Sequence, residues 1–327
     1  MDIADRLRLD VPVGQAGMGG GLADGRLAAT VAKAGGLGTI GLATPHQLRT
    51  SIDRVRAEAP GRAVAVNLLM PFVRRHHVAV CVDAGVDVVV LAFGEQQPLV
   101  EHFRDAGIFV FVMVGTRPQA RAAVAWGADG LIAQGREAGG HLVGTVPALD
   151  FLPHALAAAG NRPVFLAGGI ATRADTRAAL DAGAIGVIAG TRFLLTHEAN
   201  ANPEYQRRII QADKTIETNL FGLSWPLRHR AVPNAATRRW CGADGKARVL
   251  PAALDAATGP LSVLGYFDAG ALLRLQSPAR PFFTPLAPLA GMPDAWVDRA
   301  ALYAGETALR IAELTPAERA VKDLSPG

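Results

Sequence analysis

Cysteine is scarce in this chain of 327 residues: Cys81 and Cys241, far apart, are the only two. That count excludes a disulfide framework and suits a reducing compartment. Cys81 sits in an apolar helical pattern and reads as a small buried hydrophobe. Lysine is also sparse. Four lysines (Lys33, Lys214, Lys246 and Lys322) stand within a Lys+Arg total of 33, so the basic charge is carried by arginine. Apart from a cluster over Arg228–Arg239 the arginines are scattered, and the aromatics, 6% of the chain, do not interleave with them. A net charge of +4 and a pI near 9.4 therefore do not predict a nucleic-acid surface. No run approaches the roughly 18 uncharged apolar residues that span a bilayer. The opening Met1-Asp2-Ile3-Ala4-Asp5 is acidic and lacks the apolar core of a signal peptide. A soluble, cytoplasmic protein without membrane or nucleic-acid partners is expected, and no metal site.

Half the residues are hydrophobic and 36 are glycine, enough for a large packed core. The glycines keep time. Gly35, Gly61, Gly85, Gly107, Gly127, Gly160 and Gly183 each follow a helical pattern and precede an apolar run, at spacings of 26, 24, 22, 20, 33 and 23 by subtraction. Glycine just past a helix can take the left-handed conformation that ends it. The runs Leu37–Gly41, Ala63–Leu68, Asp87–Ala92, Ile108–Val114, Asp129–Ala133, Val164–Ala167 and Ile185–Ala189 read as strands buried on both faces. With Val11–Gln15 they make eight. Eight strands alternating with helices predict an α/β fold of the (βα)8 TIM-barrel type. An open doubly wound sheet is the alternative, but the glycines of Gly17–Gly21 do not match its phosphate-binding turn.

The barrel is expected to occupy residues 1–218. Residues 219–295 break the rhythm and hold nine of the 21 prolines, so they predict a lid or cap over the barrel mouth. Residues 296–327 are expected to return to the barrel, with an amphipathic helix over Trp296–Leu314 carried by Val297, Ala301, Ala304, Ala308, Ile311 and Ala312.

The overlong unit, 33 residues against twenty-odd, contains Gln134-Gly135-Arg136-Glu137-Ala138-Gly139-Gly140-His141. In this fold chemistry lies in the loops at the carboxyl ends of the strands. Gly139 and Gly140 let the backbone approach a flat ligand, and His141 adds a base whose ordinary pKa is near neutrality. Read alone, the stretch could equally be a surface turn. Strands seven and eight end in Gly168-Gly169 and Gly190-Thr191, the recurrent phosphate position of this barrel, where backbone N–H groups and the helix start after Thr172 favour an anion. Asn67, ending strand three, could meet a heterocycle edge or cap the next helix; Gln134 could serve from strand six. Together these suggest a phosphate-bearing cofactor across the mouth.

The chain resembles the nitronate monooxygenase family, also called 2-nitropropane dioxygenases, over Leu9 to Leu314. The resemblance rests on Ala34-Gly35-Gly36-Leu37-Gly38, Val66-Asn67-Leu68, the loop ending in Glu137-Ala138-Gly139-Gly140-His141, Ala167-Gly168-Gly169-Ile170, Gly190-Thr191-Arg192-Phe193 and Tyr303-Ala304-Gly305-Glu306. It implies an FMN enzyme on a (βα)8 barrel. Asn67, Gln134 and Gly139 would contact the flavin, and Gly169, Gly190 and Thr191 its phosphate. Gly17, Met18, Gly140 and Gly168 complete the expected cofactor contacts. His141 would be the catalytic base or a substrate-positioning group. The first turn departs from the family, with Gly17 where proline usually precedes Met18. Together with Ala23-Asp24-Gly25 it looks more like the flavin-dependent enoyl-acyl-carrier-protein reductases, which share the fold and the glycine-histidine loop.

The implied reaction is oxidation of a nitronate or nitroalkane by O2 to a carbonyl compound and nitrite. The alternative is an NAD(P)H-dependent reductase of an enoyl thioester or quinone. From another class comes a phosphate-binding barrel without redox function. A small-molecule substrate and O2 are the expected partners, with a homodimer left open.

Overall fold

A computed structural model describes residues 3–223, 225–258 and 269–326. Eleven strands occur in it: β1 (Val13–Gln15), β2 (Thr39–Ile40), β3 (Ala65–Leu69), β4 (Val88–Ala92), β5 (Phe109–Val114), β6 (Gly130–Gln134), β7 (Gly140–His141), β8 (Val164–Ala167), β9 (Gly186–Ala189), β10 (Ile216–Thr218) and β11 (His229–Ala231). Eight of them form one parallel sheet in the order β1-β9-β8-β6-β5-β4-β3-β2. A parallel bridge between Gly14 and Leu37 brings β1 against the start of β2, and Gln15 N–H donates to the Leu37 carbonyl at 2.9 Å. The Gln15 side chain reinforces this seam by accepting from Thr39 N–H at 3.1 Å. The sheet is thus the expected (βα)8 barrel.

Strand alternation divides the core in two. Val88 and Val90, Phe111, Ile132, Phe165, Ala167 and Ile188 fill the barrel interior, with Leu7 of the first helix packed among them. Their neighbours Val89, Leu91, Leu131, Ala133, Val164 and Leu166 face the surrounding helices. This is the two-residue period of a strand buried on both faces. The seven helix-ending glycines all have positive φ, from 58° at Gly85 to 100° at Gly183, as the sequence rhythm predicts. Helix starts are set locally: Asp24 accepts from Arg26 and Leu27 N–H, and Thr44 forms a capping box with Gln47 ahead of Pro45.

One expectation meets a correction. The helix predicted over Trp296–Leu314 is absent; that stretch holds two 3-10 turns, Asp294–Asp298 and Glu306–Arg310. The position between the helices Gly25–Lys33 and Arg173–Asp181 is taken by Ala317–Leu324, which touches both. Tertiary contact overrides the helical spacing: a Cβ on Gly305 would stand 2.6 Å from the Glu137 carbonyl, and Glu306 N–H donates to that carbonyl at 3.0 Å. A chain running as helix there could not lie so close to the Glu137–Gly139 backbone. Residues 219–295 are the stretch expected to form the cap. Of this expected cap, residues 224 and 259–268 lie outside the described residues. The rest is joined to the barrel loop by a second sheet, β10-β11-β7, which is antiparallel throughout. Among the described residues no helix is long and apolar enough to cross a membrane.

The second sheet places His229 directly across from His141. His229 is fully buried. Its Nδ1 donates to the Leu227 carbonyl at 3.0 Å, which leaves Nε2 buried without a partner. Its ring lies 5.0 Å from that of His141 and 5.5 Å from that of Tyr303. Burial pushes its pKa from 6.5 down to about 4. Below pH 6.5 the unfolded chain binds a proton that the folded chain refuses. Stability is therefore complete above pH 6.5 and is lost as pH falls toward 4, by about 3 kcal/mol from this residue alone. His229→Leu should reduce the loss of stability between pH 7 and pH 4 by about that amount, measured by urea unfolding across the range. Parallel acid limbs in the two proteins would show that His229 does not contribute.

Candidate active site

The carboxyl ends of the barrel strands open on one cavity of about 470 Å³. Every residue singled out from the sequence lines it: Gly17, Met18, Asn67, Gln134, Gly139, Gly140, His141, Gly168, Gly169, Gly190 and Thr191. The strands that carry them are separated by up to about 170 residues of chain, so barrel closure alone makes them neighbours.

Several of these residues hold the protein as well as facing the cavity. Asn67 Nδ2 donates to the Gly17 carbonyl at 3.0 Å, and a Cβ on Gly17 would stand 2.3 Å from Asn67 Cβ. Only glycine lets the first turn come that close to β3. The Gln134 side chain grips the loop beyond it: Nε2 donates to the His141 carbonyl at 3.3 Å and Oε1 accepts from Val143 N–H at 2.8 Å. Gly139 is glycine because the tail passes over it, with Gly305 N 2.4 Å from where its Cβ would be. Thr191 Oγ1 accepts from Gly305 N–H at 2.9 Å, tying the β9 turn to the same tail.

The anion end differs from the sequence expectation in one respect. The Asp175 carboxylate already accepts from Ala171 and Thr172 N–H, each at 2.8 Å, and so occupies the start of the helix Arg173–Asp181. An anion binding here would be left with the glycine turns themselves. Gly168 and Gly169 have φ of 103° and 78°, conformations that side-chain-bearing residues rarely adopt. Arg310 bonds the Gly169 carbonyl and pairs with Asp175 at 3.0 Å, so its charge is engaged behind the turn.

The overlong loop is closed on itself. The Glu137 carboxylate accepts from Ala148 N–H at 3.0 and 3.1 Å, capping the helix Ala148–Ala159 whose Pro147 start has no side-chain cap. Glu217 on β10 gathers three arginines: Arg228 at 2.6 Å, Arg230 at 2.7 Å and Arg136 at 3.2 Å. Arg230, nearly buried, also donates to the Arg136 carbonyl at 2.9 Å. The head of the basic cluster is thus an internal clamp on the histidine loop.

His141 stands on the cavity wall, stacked on Trp225 with ring centroids 3.6 Å apart and planes 19° apart. Phe93 meets both rings edge-on, at 6.2 and 4.9 Å. Phe93 has a φ of 65°, a strained conformation for an aromatic residue, and the strain is held at the cavity. The ring of Tyr303 lies 5.5 Å from that of His141. Nε2 of His141, Nε1 of Trp225 and the hydroxyl of Tyr303 are all buried without a hydrogen-bond partner. Burial, with His229 behind it, drives the His141 pKa well below 6.5, so the ring is neutral at physiological pH. Trp225 and Phe93 escaped the sequence reading, His229 was noticed only within the basic cluster, and Tyr303 only as part of a motif. Trp225 and His229 lie in an unperiodic, proline-rich stretch; the one available signal was a tryptophan in a chain with four.

Comparison with known proteins agrees with this geometry. The family model described as nitronate monooxygenase matches residues 3–74 and 60–327. A hydroxy-methyl-oxo-octahydroindene-carboxyl-CoA dehydrogenase of Mycobacterium tuberculosis is 37% identical over 66% of this chain and 62% of its own length. A nitronate monooxygenase of Neurospora crassa is 30% identical over 64% of this chain and 65% of its own. The match thus reaches over less than two thirds of either curated relative. Among solved structures, FabK from Thermotoga maritima superimposes with a TM-score of 0.77 at 25% identity, covering 98% of this chain and 94% of that one. The nitroalkane oxidase of Streptomyces ansochromogenes gives 0.77 at 27%, covering 98% and 96%. With a family model matched along nearly its whole length, on a barrel whose carboxyl-end cavity gathers the family's motifs, this chain belongs to the nitronate monooxygenase family.

Proposed function

We propose that the protein is an FMN-dependent oxidoreductase that oxidises nitronates or nitroalkanes with O2 to a carbonyl compound and nitrite. The observation that carries this reading is His141: a neutral imidazole with an unpartnered Nε2, held on the wall of a cavity whose far end is built from glycine turns. The residues present suit FMN. Gly168, Gly169, Gly190 and Thr191 would take the phosphate with backbone N–H groups and the Thr191 hydroxyl, and Asn67, Gln134, Gly139 and Gly140 would border the ring. Bound FMN supplies the redox chemistry. The protein's part is to orient the substrate, exclude water and handle a proton at His141. Residues 219–295 are proposed to act as the cap, which fits the presence of Leu223, Trp225, Phe282 and Leu286 on the cavity wall.

A neutral imidazole can accept the α-proton of a nitroalkane, becoming an imidazolium beside the nitronate, and it must return that proton before the next turnover. Its depressed pKa makes it a weaker base than an exposed histidine, which favours the pre-formed nitronate as the better substrate. The base must be unprotonated to act, so its activity is lost only as pH falls through its own pKa.

A second reading, NAD(P)H-dependent reduction of an enoyl thioester or quinone, is supported by the likeness to FabK and to the carboxyl-CoA dehydrogenase. Anaerobic titration separates the two. Bleaching of the bound flavin by a nitronate, and not by NADH or NADPH, is the expected result; rapid bleaching by a pyridine nucleotide would favour the reductase.

The purified protein should carry non-covalent FMN, and Gly169→Asp should lose it, because a carboxylate would face the phosphate in a turn of φ 78°. Flavin absorbance after gel filtration measures this; a colourless wild type that takes up no added FMN would sink the cofactor assignment. His141→Asn should slow neutral nitroalkanes by about 10² to 10⁴-fold while nitronates fall much less. In the wild type the acid limb of kcat/KM for nitroalkanes should lie well below pH 6.5. Wild-type rates on both substrate forms in the variant would remove His141 from catalysis.

A further inference from the structure

The cavity wall around His141 carries more unsatisfied hydrogen-bonding capacity than a base requires. Trp225 Nε1–H and the Tyr303 hydroxyl are buried, and neither has a partner. An indole N–H is a donor only, and a buried hydroxyl without a partner carries its full desolvation penalty. Two such groups beside one histidine, on residues that both line the cavity, are not accounted for by packing: the stacking of Trp225 on His141 and Phe93 needs the ring and not its N–H. Phenylalanine would fill the place of Tyr303 equally well, since its ring is already packed edge-on against His229 at 5.5 Å.

We propose that Trp225 Nε1–H and the Tyr303 hydroxyl are a donor pair that seats the two oxygens of the substrate's head group beside His141. The proposal deepens the nitronate reading and rests on it for the identity of the head.

The charge around the cavity narrows that head further. Among the described residues lining it there is no lysine or arginine, and the one charged side chain, Glu137, is committed to Ala148 N–H. Two neutral donors suit a head whose charge is small or delocalised over two oxygens, as in a nitro or nitronate group. Beside His141 neither a cation nor a turn of bare backbone N–H groups stands ready for a localised carboxylate. The remaining wall, with Leu69, Phe72, Phe93 and Met113, is apolar and takes the hydrocarbon body. The site is thus suited to an apolar molecule with a compact two-oxygen head.

The test uses the FMN-loaded enzyme and two probes that contain no α-proton to be removed: nitrobenzene, and styrene as its near-isostere without oxygens. Dissociation constants are measured by calorimetry for wild type, Trp225→Phe and Tyr303→Phe. Each variant should bind nitrobenzene about 3- to 30-fold more weakly, the span of one lost hydrogen bond, while styrene changes by less than about twofold. In steady state, KM for a nitronate should rise and kcat change less. Styrene binding also confirms that each variant is folded. Equal weakening of both probes would show that the two rings act by packing alone, and unchanged nitrobenzene binding would show that neither group touches the head; either overturns the proposal. If the probes discriminate as expected but no nitronate is turned over, the donor pair stands and the proposed reaction fails.

Discussion

The site depends on a register: β7 against β11, antiparallel, with His141 opposite His229. β7 is two residues long and could not persist alone. It is held because β11 supplies its partners, because Gln134 fastens the backbone at His141 and Val143, and because Glu217 draws Arg136, Arg228 and Arg230 together across the sheet. A one-residue slip would turn the histidine to the opposite face of the strand. The overlong loop is therefore held in place from outside the barrel, and β11 is part of what holds it.

That arrangement also decides the electrostatics. The chain is basic overall, yet the arginines nearest the site are spent on Glu217, Glu306 and backbone carbonyls. The cavity is left with neutral donors, apolar rings and glycine turns. His141 on its wall and His229 behind it stay uncharged because burial outweighs every favourable contact they make. An uncharged imidazole on a cation-free wall differs in this from an ordinary surface histidine, which is partly charged near neutral pH.

The barrel was legible in the sequence because its signals are local. A glycine that ends a helix and an apolar run that fills a strand need no knowledge of distant residues, and both recur along the chain. The overlong unit stood out against that rhythm and pointed to the loop with His141. Where local signal and tertiary contact disagreed, the contact prevailed. Val297 to Ala312 has helical spacing, but the backbone at Gly305 lies against Glu137 and Gly139, and that close passage excludes a helix.

The sequence by itself determined the eight-strand α/β barrel, the glycine turns at its carboxyl end and the candidacy of His141, since each follows from residue type and spacing within a few tens of residues. Tertiary structure alone decided what surrounds that histidine. Trp225, His229 and Tyr303 come from segments some 80 to 160 residues further on, with no periodicity to announce them, and meet His141 only because β11 and the tail pack against its loop. Their chemistry at the site arises from burial beside one another, a property of the assembled fold that no stretch of the chain carries alone.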